Sequence, residues 1–181
     1  MSTGYKIENQ FGVYYLTLTI VDWVDLFTRK EYKDIIIESL NYCITYKKLL
    51  IYSYVIMSNH VHLILQASGE IPLSDIIRDF KKYTSKIFLE TIHSTEESRK
   101  AWILHRFKYN AIHHKRNIDF QIWIHNNHAV EIRSHKFFSQ KQNYIHSNPV
   151  KAGYVDFPED YVYSSAYELA GRGDKLVITI W

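Results

Sequence analysis

The sequence predicts an α+β fold of the ferredoxin-like (split βαβ) type, a sandwich in which helices pack on an antiparallel sheet. The first observation is the order of the patterns along the chain: strand, helix, strand, strand, helix. The second is a pair of β-type segments separated only by Ser58, Asn59 and His60, as in a tight antiparallel hairpin. The third is an apolar content of 46%, which is enough for a packed core and excludes a disordered chain.

The first half of the chain supplies most of the sheet and two helices. Residues 13–20 (VYYLTLTI) are rich in β-branched and aromatic side chains and predict a strand. Residues 29–48 place apolar side chains at helical spacing, and Pro72 opens a second helical pattern. Between these helices, residues 50–57 and 61–66 predict the two strands of the hairpin.

The second half of the chain has weaker patterns. Residues 94–116 are more polar, with weak periodicity, and predict a partly irregular segment. Short strands, or one strand split by a loop at 126–128, are predicted at 120–124 and 129–132. A helix is predicted at 134–147, with Ser134 as its N-cap and Pro149 forcing its end. In the tail we expect a short helix near 164–169 and a last strand at 176–180.

Length and composition favour one domain in a reducing compartment. The 181 residues are expected to form a single domain, with a core at about 13–167 and a C-terminal tail at 168–181. Cys43 is the only cysteine, so an intrachain disulfide and a cysteine-based zinc site are excluded. Because no segment resembles a secretion signal or an apolar membrane span, we expect a cytoplasmic protein that does not engage a membrane.

Two histidines at alternate positions, His60 and His62, form the first candidate site. Alternate residues of a strand face the same side, so the two imidazoles project together while Val61 points into the opposite layer. Two such imidazoles can converge on one divalent cation and leave positions open for water or a phosphate oxygen. The alternative, which is commoner for this pattern, is a turn residue next to a half-buried, hydrogen-bonded histidine.

The second candidate site is Tyr144, on the helix predicted at 134–147. Asn148 lies four residues later on the same helix face, and Pro149 places it at or just past the helix end. A tyrosine hydroxyl is a poor nucleophile in water, and a divalent metal that polarises a phosphorus centre would remove much of that handicap. Because the chain holds 15 tyrosines, a structural role for Tyr144 is the alternative.

A basic segment at residues 99–118 is the third candidate. It carries six Lys or Arg and no acid, while the whole chain has a net charge of only +3. Aromatic side chains lie among these charges, a pattern typical of proteins that neutralise a nucleic-acid backbone and stack on its bases. A solvated loop is the alternative. With two lysines of the preceding helix, the predicted nucleic-acid-binding residues are Lys81, Lys82, Arg99, Lys100, Arg106, Lys108, Lys115 and Arg116.

Taken together, three segments resemble the REP-associated tyrosine transposases of the HUH single-tyrosine transposase superfamily. They are YVIMSNHVHLIL (54–65), YIHSNPVKAGYV (144–155) and EDYVYSSA (159–166), and the resemblance extends over residues 13–167. It implies a ferredoxin-like fold and Mg²⁺- or Mn²⁺-dependent cleavage and rejoining of single-stranded DNA beside a palindromic hairpin. It also implies a covalent 5′-phosphotyrosine intermediate that leaves a free 3′-hydroxyl.

The resemblance also implies roles for individual residues. Tyr144 matches the nucleophile, and His60 and His62 match the metal ligands. The third ligand of related enzymes is a polar side chain four residues after the tyrosine, which here is Asn148, with His146 as the rival. Since metal-bound histidines must be neutral, activity is expected to fall at acid pH.

Two other functions compete with a transposase. A non-catalytic binding module for structured single-stranded DNA would need neither the two histidines nor the tyrosine. A relaxase or replication initiator would use the same chemistry, but the chain shows no helicase or second functional domain. The sequence leaves open whether the protein is a monomer or a homodimer.

Overall fold

The computed structural model describes residues 6–112 and 119–181, which form a four-stranded antiparallel sheet with helices packed on it. This architecture confirms the predicted α+β fold. The strands are β1 Tyr14–Thr19, β2 Leu49–Ile56, β3 His60–Ala67 and β4 Val130–Glu131. The helices are α1 Lys30–Lys47, α2 Leu73–Ser94, α3 Lys100–Ile112, α4 His135–Lys151 and α5 Ser165–Leu169.

The sheet order is β2-β3-β1-β4, so β1 and β3 are the central strands. Helix α1 connects β1 to β2, and α2 follows β3, which is the order of a split βαβ unit. None of the helices in the described ranges is long and apolar enough to cross a membrane.

The two faces of the central strands differ in chemistry. Leu16, Leu18 and Leu63 are completely buried on one face, and His62 lies on the other face opposite Thr17 of β1. Helix α4 contacts β2 and β3 and lies on the histidine face, because the ring of Tyr144 contacts the ring of His62. The leucine face packs into the main core.

The hairpin between β2 and β3 is tied to the rest of the sheet through its turn. The carbonyl of Asn59 accepts a backbone hydrogen bond from Ile20, and the carbonyl of Ser58 accepts one from Phe27. Strand β3 begins at His60 itself. His60 therefore follows the pleat of the strand, and its side chain shares a face with His62.

Strand β2 contains a bulge at Tyr52. Ile51 pairs with Leu65 and Ser53 pairs with Ile64, so Tyr52 is an extra residue in the ladder. The extra residue interrupts the alternation of the strand, so the side chains of both Tyr52 and Ser53 contact α4. The Tyr52 ring lies 6.0 Å from the ring of Phe138, and the Ser53 hydroxyl lies 3.2 Å from Nε2 of His146.

The prediction of a partly irregular segment at 94–116 is wrong for residues 100–112, which form α3. Only Ile103, Phe107 and Ala111 of this helix are buried, at a spacing of four residues. So narrow an apolar stripe produces little periodicity, and for that reason the helix was not predicted. Lys115 and Arg116, two of the predicted nucleic-acid-binding residues, lie outside the described residues.

The expected end of the helix before Pro149 is also wrong, because α4 continues through Pro149 to Lys151. Proline at this position cannot donate to the carbonyl of Ile145, so the helix lacks one hydrogen bond. Pro149 is buried, and its carbonyl still accepts a hydrogen bond from the amide of Tyr154. Packing of the last turn therefore compensates for the missing donor.

The predicted short strands are only partly present. The predicted strand at 120–124 is reduced to an isolated bridge between Trp123 and Ile20, and the one at 129–132 to the two residues of β4. The last strand predicted at 176–180 is absent, although the amide of Thr179 donates to the carbonyl of Ile51 on the edge strand β2. One such bond attaches the tail without forming a ladder. The short helix expected near 164–169 is confirmed as α5.

Candidate functional site

The two histidines of β3 face each other at the start of the strand. Their ring centroids are 4.6 Å apart and the rings are nearly perpendicular. On the neighbouring strand β1, Thr19 lies opposite His60 and Thr17 lies opposite His62. The alternation predicted from the sequence is therefore present, and it brings two imidazoles together on the face that α4 covers.

His62 is held by hydroxyl groups on one of its ring nitrogens only. Its Nδ1 atom lies 2.8 Å from the hydroxyl of Tyr15 and 2.9 Å from that of Thr17. Its Nε2 atom is buried and has no hydrogen-bond partner among the described residues. When Nδ1 donates its proton to one of the hydroxyls, Nε2 presents a lone pair, as the ring of a metal-ligating histidine does. This orphaned nitrogen fits a cation site.

The environment keeps both imidazoles neutral. Burial lowers the pKa of His62 to about 3, and the charges of His60 and Lys141 act in the same direction. Burial also lowers the pKa of His60. Burial raises the pKa of Tyr15 to about 12, so its hydroxyl keeps its proton beside His62. A metal ligand must be neutral imidazole, so these shifts favour cation binding.

We expect the buried His62 to make the metal-free protein less stable at acid pH. The unfolded chain takes up a proton on this residue below pH 6.5, whereas the folded chain does so only near pH 3, so stability falls as the pH falls through this range. At pH 5 the loss relative to pH 7.5 amounts to about 2 kcal/mol. Urea unfolding at the two pH values measures it, and His62→Gln should lose this part of the pH dependence.

The matched control for that measurement is His93→Gln, since His93 is an exposed residue at the end of α2. This variant should keep the pH dependence of the wild type. If His62→Gln also keeps it, protonation of His62 does not limit the stability of the folded chain.

Tyr144 projects from α4 onto the same face as the histidines. Its ring lies 5.3 Å from the ring of His62 and 6.3 Å from that of Tyr15, with edge contacts in both cases. Tyr144 is still 42% exposed, so a ligand can reach it from solvent. The structure therefore joins the two candidate sites of the sequence, which are 84 and 82 residues apart in the chain (144 − 60 and 144 − 62), into one site.

Two lysines of α4 add positive charge around the tyrosine. The ammonium group of Lys141 lies 4.5 Å from the centre of the Tyr15 ring and 5.9 Å from that of Tyr144. That of Lys151 lies 5.7 Å from the centre of the Tyr144 ring. Neither lysine is among the residues predicted from the sequence. Lys141 could have been found from its position three residues before Tyr144, which places both on one helix face.

The two candidates for a third ligand differ in their surroundings. Nε2 of His146 lies 2.8 Å from the hydroxyl of Ser165 and 3.2 Å from that of Ser53, and burial lowers its pKa to about 4. It therefore attaches α4 to β2 and α5. The amide nitrogen of Asn148 donates to the carbonyl of Tyr144 at 2.8 Å, which leaves the amide oxygen as an available donor atom. Of the two, Asn148 is the better candidate.

The histidine pair has no acidic or thiol partner in the parts of the chain that are described, where no group of three His, Cys, Asp or Glu could hold a metal. Two imidazoles and an amide oxygen would supply three donors to a bound cation, and phosphate oxygens and water would supply the others. Mg²⁺ commonly keeps several waters and binds substrate phosphates in this way.

Several of the predicted nucleic-acid-binding residues form ion pairs or hydrogen bonds with other residues of the chain. Arg99 pairs with Asp25 at 2.6 Å, and Arg106 pairs with Asp22 at 2.7 Å. The ammonium group of Lys100 donates to the carbonyl of His93. These three side chains attach α3 to its neighbours, and only part of their charge is available to a ligand.

Lys81 is the most enclosed of these basic residues. Its ammonium group donates to the carbonyl of Ile124 at 2.7 Å and to the side-chain oxygen of Asn127, and burial lowers its pKa to about 7. It lines a groove of about 510 Å³ between α2 and residues 120–127. Lys82 beside it and Lys108 on α3 are exposed, and these two match the predicted role best.

We expect Lys82 and Lys108 to contribute to the salt dependence of binding to single-stranded DNA. Each lost contact with a phosphate should flatten the slope of log affinity against log salt by roughly 0.7. Titrations of Lys82→Gln and Lys108→Gln between low and moderate salt measure this effect. Lys30→Gln is the control, because Lys30 is an exposed lysine on α1 that pairs with Asp34. Unchanged slopes in both test variants would show that these lysines are merely solvated.

The family of the chain follows from a comparison with family models. Residues 14–127, well over half of the chain, match the model described as transposase IS200-like. The chain therefore belongs to the IS200-like transposase family. The matched range contains His60 and His62 and ends before β4 and Tyr144, so membership rests on strands β1 to β3 and helices α1 to α3.

Solved structures show the same fold. The structure of a REP-associated tyrosine transposase bound to a REP hairpin matches 99% of this chain and 96% of its own, with a TM-score of 0.66 and 19% identity. At that identity the likeness establishes the fold. A candidate transposase from Deinococcus radiodurans R1 matches with a TM-score of 0.42, 15% identity, and 76% and 91% coverage of the two chains, which is too weak to support a conclusion. No curated protein matches the chain.

Proposed function

We propose that this transposase-family protein binds hairpin-forming single-stranded DNA and cleaves and rejoins it through a 5′-phosphotyrosine on Tyr144, with Mg²⁺ or Mn²⁺ as its cofactor. One observation carries the proposal. The ring of an accessible tyrosine lies 5.3 Å from that of a histidine whose Nε2 atom is buried without a partner. A structural tyrosine needs no such neighbour.

The residues around the pair would hold and orient the cation. His60 and His62 supply two nitrogen ligands, and Tyr15 and Thr17 fix the orientation of the His62 ring through its Nδ1 atom. Asn148 supplies an amide oxygen from α4. When bound, Mg²⁺ or Mn²⁺ polarises the scissile phosphate and offsets the charge that develops on its oxygens.

Tyr144 would carry out the covalent step. Its hydroxyl oxygen attacks the phosphorus, the bond from phosphorus to the 3′ oxygen breaks, and the 3′ oxygen leaves as a hydroxyl after taking up a proton. The phenolic proton passes to water. The lysines beside the ring, Lys141 and Lys151, place positive charge near the phosphate. The phosphotyrosine ester keeps the energy of the phosphodiester, so a 3′-hydroxyl can attack it and rejoin the strand without ATP.

The hairpin partner is proposed by analogy. The solved transposase that shares the fold over nearly the whole chain is bound to a REP hairpin. In this chain, the exposed basic residues Lys82 and Lys108 would neutralise phosphates of such a strand. The shared fold and the exposed lysines support a single-stranded or hairpin DNA partner.

The test is covalent capture of the DNA. A hairpin oligonucleotide with single-stranded flanks, labelled on its 3′ side, is incubated with the protein and Mg²⁺ or Mn²⁺ and analysed under denaturing conditions. We expect a labelled protein adduct that depends on the metal and is absent with a chelator. Hairpin binding with neither metal giving an adduct would favour the non-catalytic binding module instead.

A further inference from the structure

Trp23 is exposed next to the candidate catalytic site. Its side chain is 64% accessible, whereas Trp123 in the core is only 4% accessible. The Trp23 ring lies 6.2 Å from the ring of His60, at an angle of 75°. A ring that is mostly in water contributes little to the core, and this one lies beside a metal-ligand candidate with its flat surface accessible.

The backbone holds this ring in place at a conformational cost. Asp22 and Trp23 both have φ values in the left-handed region, 53° and 54°, which bulky residues rarely adopt. Strained residues of this kind persist where the surrounding structure holds them, and they are frequent at functional sites. The strain lies mainly at Trp23, because aspartate tolerates the left-handed region better than a bulky aromatic residue does.

The contacts of the turn attach it at two places. The carboxylate of Asp22 accepts a hydrogen bond from Asn110 of α3 at 2.7 Å and pairs with Arg106 of the same helix. The carbonyl of Trp23 accepts a hydrogen bond from the amide nitrogen of Asn59 at 3.2 Å, and the amide oxygen of Asn59 lies 2.6 Å from Nδ1 of His60. The position of the indole is thereby coupled to the position of His60.

We propose that Trp23 is a stacking platform for a base of the single strand next to the phosphodiester that His60 and His62 serve. The inference rests on the proposed function, since it concerns how that DNA is positioned. The nearly perpendicular packing against His60 leaves a face of the indole in solvent, where a base can lie flat. Such stacking is tolerant of sequence, so it positions the strand and does not read it.

The competing explanation is that the indole only shields His60 from water. A leucine would shield almost as well, but it has no flat aromatic surface on which a base can stack. Phenylalanine keeps the aromatic face at reduced size. Glycine removes the ring and relaxes the left-handed backbone, so Trp23→Gly should fold at least as well as the wild type.

The experiment measures the affinity of a fluorescent hairpin oligonucleotide with a single-stranded flank, using protein that also carries Tyr144→Phe so that no strand is cut. Trp23→Gly and Trp23→Leu should each bind roughly 5- to 150-fold more weakly, as expected for the loss of one base–aromatic stack. Trp23→Phe should retain most of the affinity. Tyr46→Ala, which removes an exposed tyrosine of α1, is the control and should bind as the parent does.

An abasic scan of the flank identifies the stacked base. One abasic position should weaken binding to the Trp23 protein and have no further effect on Trp23→Gly, because both changes remove the same contact. Normal binding by Trp23→Leu, or an abasic scan without any such coupled position, would overturn the inference.

The test of base stacking on Trp23 and the test of the proposed function can fail independently of each other. If the wild type forms the Tyr144 adduct and the Trp23 variants bind normally, the stacking inference fails and the catalytic proposal stands. If the abasic coupling is found but the wild type gives no adduct, Trp23 is a stacking platform in a protein that binds without cutting.

Discussion

We expect Tyr144→Phe to bind hairpin DNA with the affinity of the wild type and to form no covalent adduct. The substitution removes one oxygen from a side chain that is 42% exposed, so the fold and the ring contact with His62 should survive. Without the hydroxyl there is no nucleophile, and cleavage should fall by at least about a thousandfold. Adduct formation and release of a 3′-hydroxyl measure the loss.

The control for this prediction is Tyr154→Phe. Tyr154 is another exposed tyrosine, ten residues further along the chain, and its ring contacts that of Tyr161. This variant should cut as the wild type does. In the wild-type adduct, mass spectrometry should place the nucleotide on the peptide that contains Tyr144. An adduct on a different tyrosine would show that the nucleophile is misassigned even though the family is right.

The second large effect is expected for His60→Ala and His62→Ala, each of which should abolish cleavage and leave hairpin binding within a few-fold of the wild type. The two rings share one strand face, the ring of His62 contacts that of Tyr144, and Nε2 of His62 has no hydrogen-bond partner among the described residues. Loss of even an outer-sphere partner commonly costs 10- to 100-fold in metal affinity, so a lost ligand should cost at least about 100-fold. Calorimetric titration with Mn²⁺ measures this directly.

Folding must be checked for His62→Ala, because the residue is buried and its removal leaves a cavity. Circular dichroism and the unfolding midpoint in urea supply that check, and His93→Ala is the matched exposed control. If both site variants are folded, bind Mn²⁺ normally and lose hairpin affinity instead, the two histidines contact DNA and do not hold a metal.

Local patterns in the sequence predicted much of the fold and half of the site. Strand alternation placed His60 and His62 on one face, and turn length predicted the hairpin that carries them. Those features depend on neighbours within a few residues. The meeting of His62 with Tyr144 depends on how α4 packs on the sheet, so the residues alone did not predict it, and the resemblance to tyrosine transposases was needed.

The features that were missed arise from tertiary contacts. Lys141 matters because α4 brings it over Tyr15, and Trp23 matters because the turn after β1 reaches His60. The spacing of Lys141 from Tyr144 indicates a shared helix face but not its contact with Tyr15, and the local sequence of Trp23 does not distinguish it from a core tryptophan. In the same way, the ion pairs of Arg99 and Arg106 with acids more than 70 residues away could not be read from a basic segment that holds no acid of its own.

The bulge in β2 determines how firmly α4, the helix that carries Tyr144, is attached to the sheet. Because Tyr52 and Ser53 point the same way, adjacent residues of β2 contact α4 at two places. The Tyr52 ring packs against Phe138, and the Ser53 hydroxyl forms a hydrogen bond with His146. These two contacts involve helix residues that are eight positions apart, about 12 Å along the helix axis, and Tyr144 lies between them. Two contacts restrain both sliding of the helix along the sheet and rotation about either contact. The distance from Tyr144 to the histidines is thus determined by a part of the helix that lies between two attachments to the sheet.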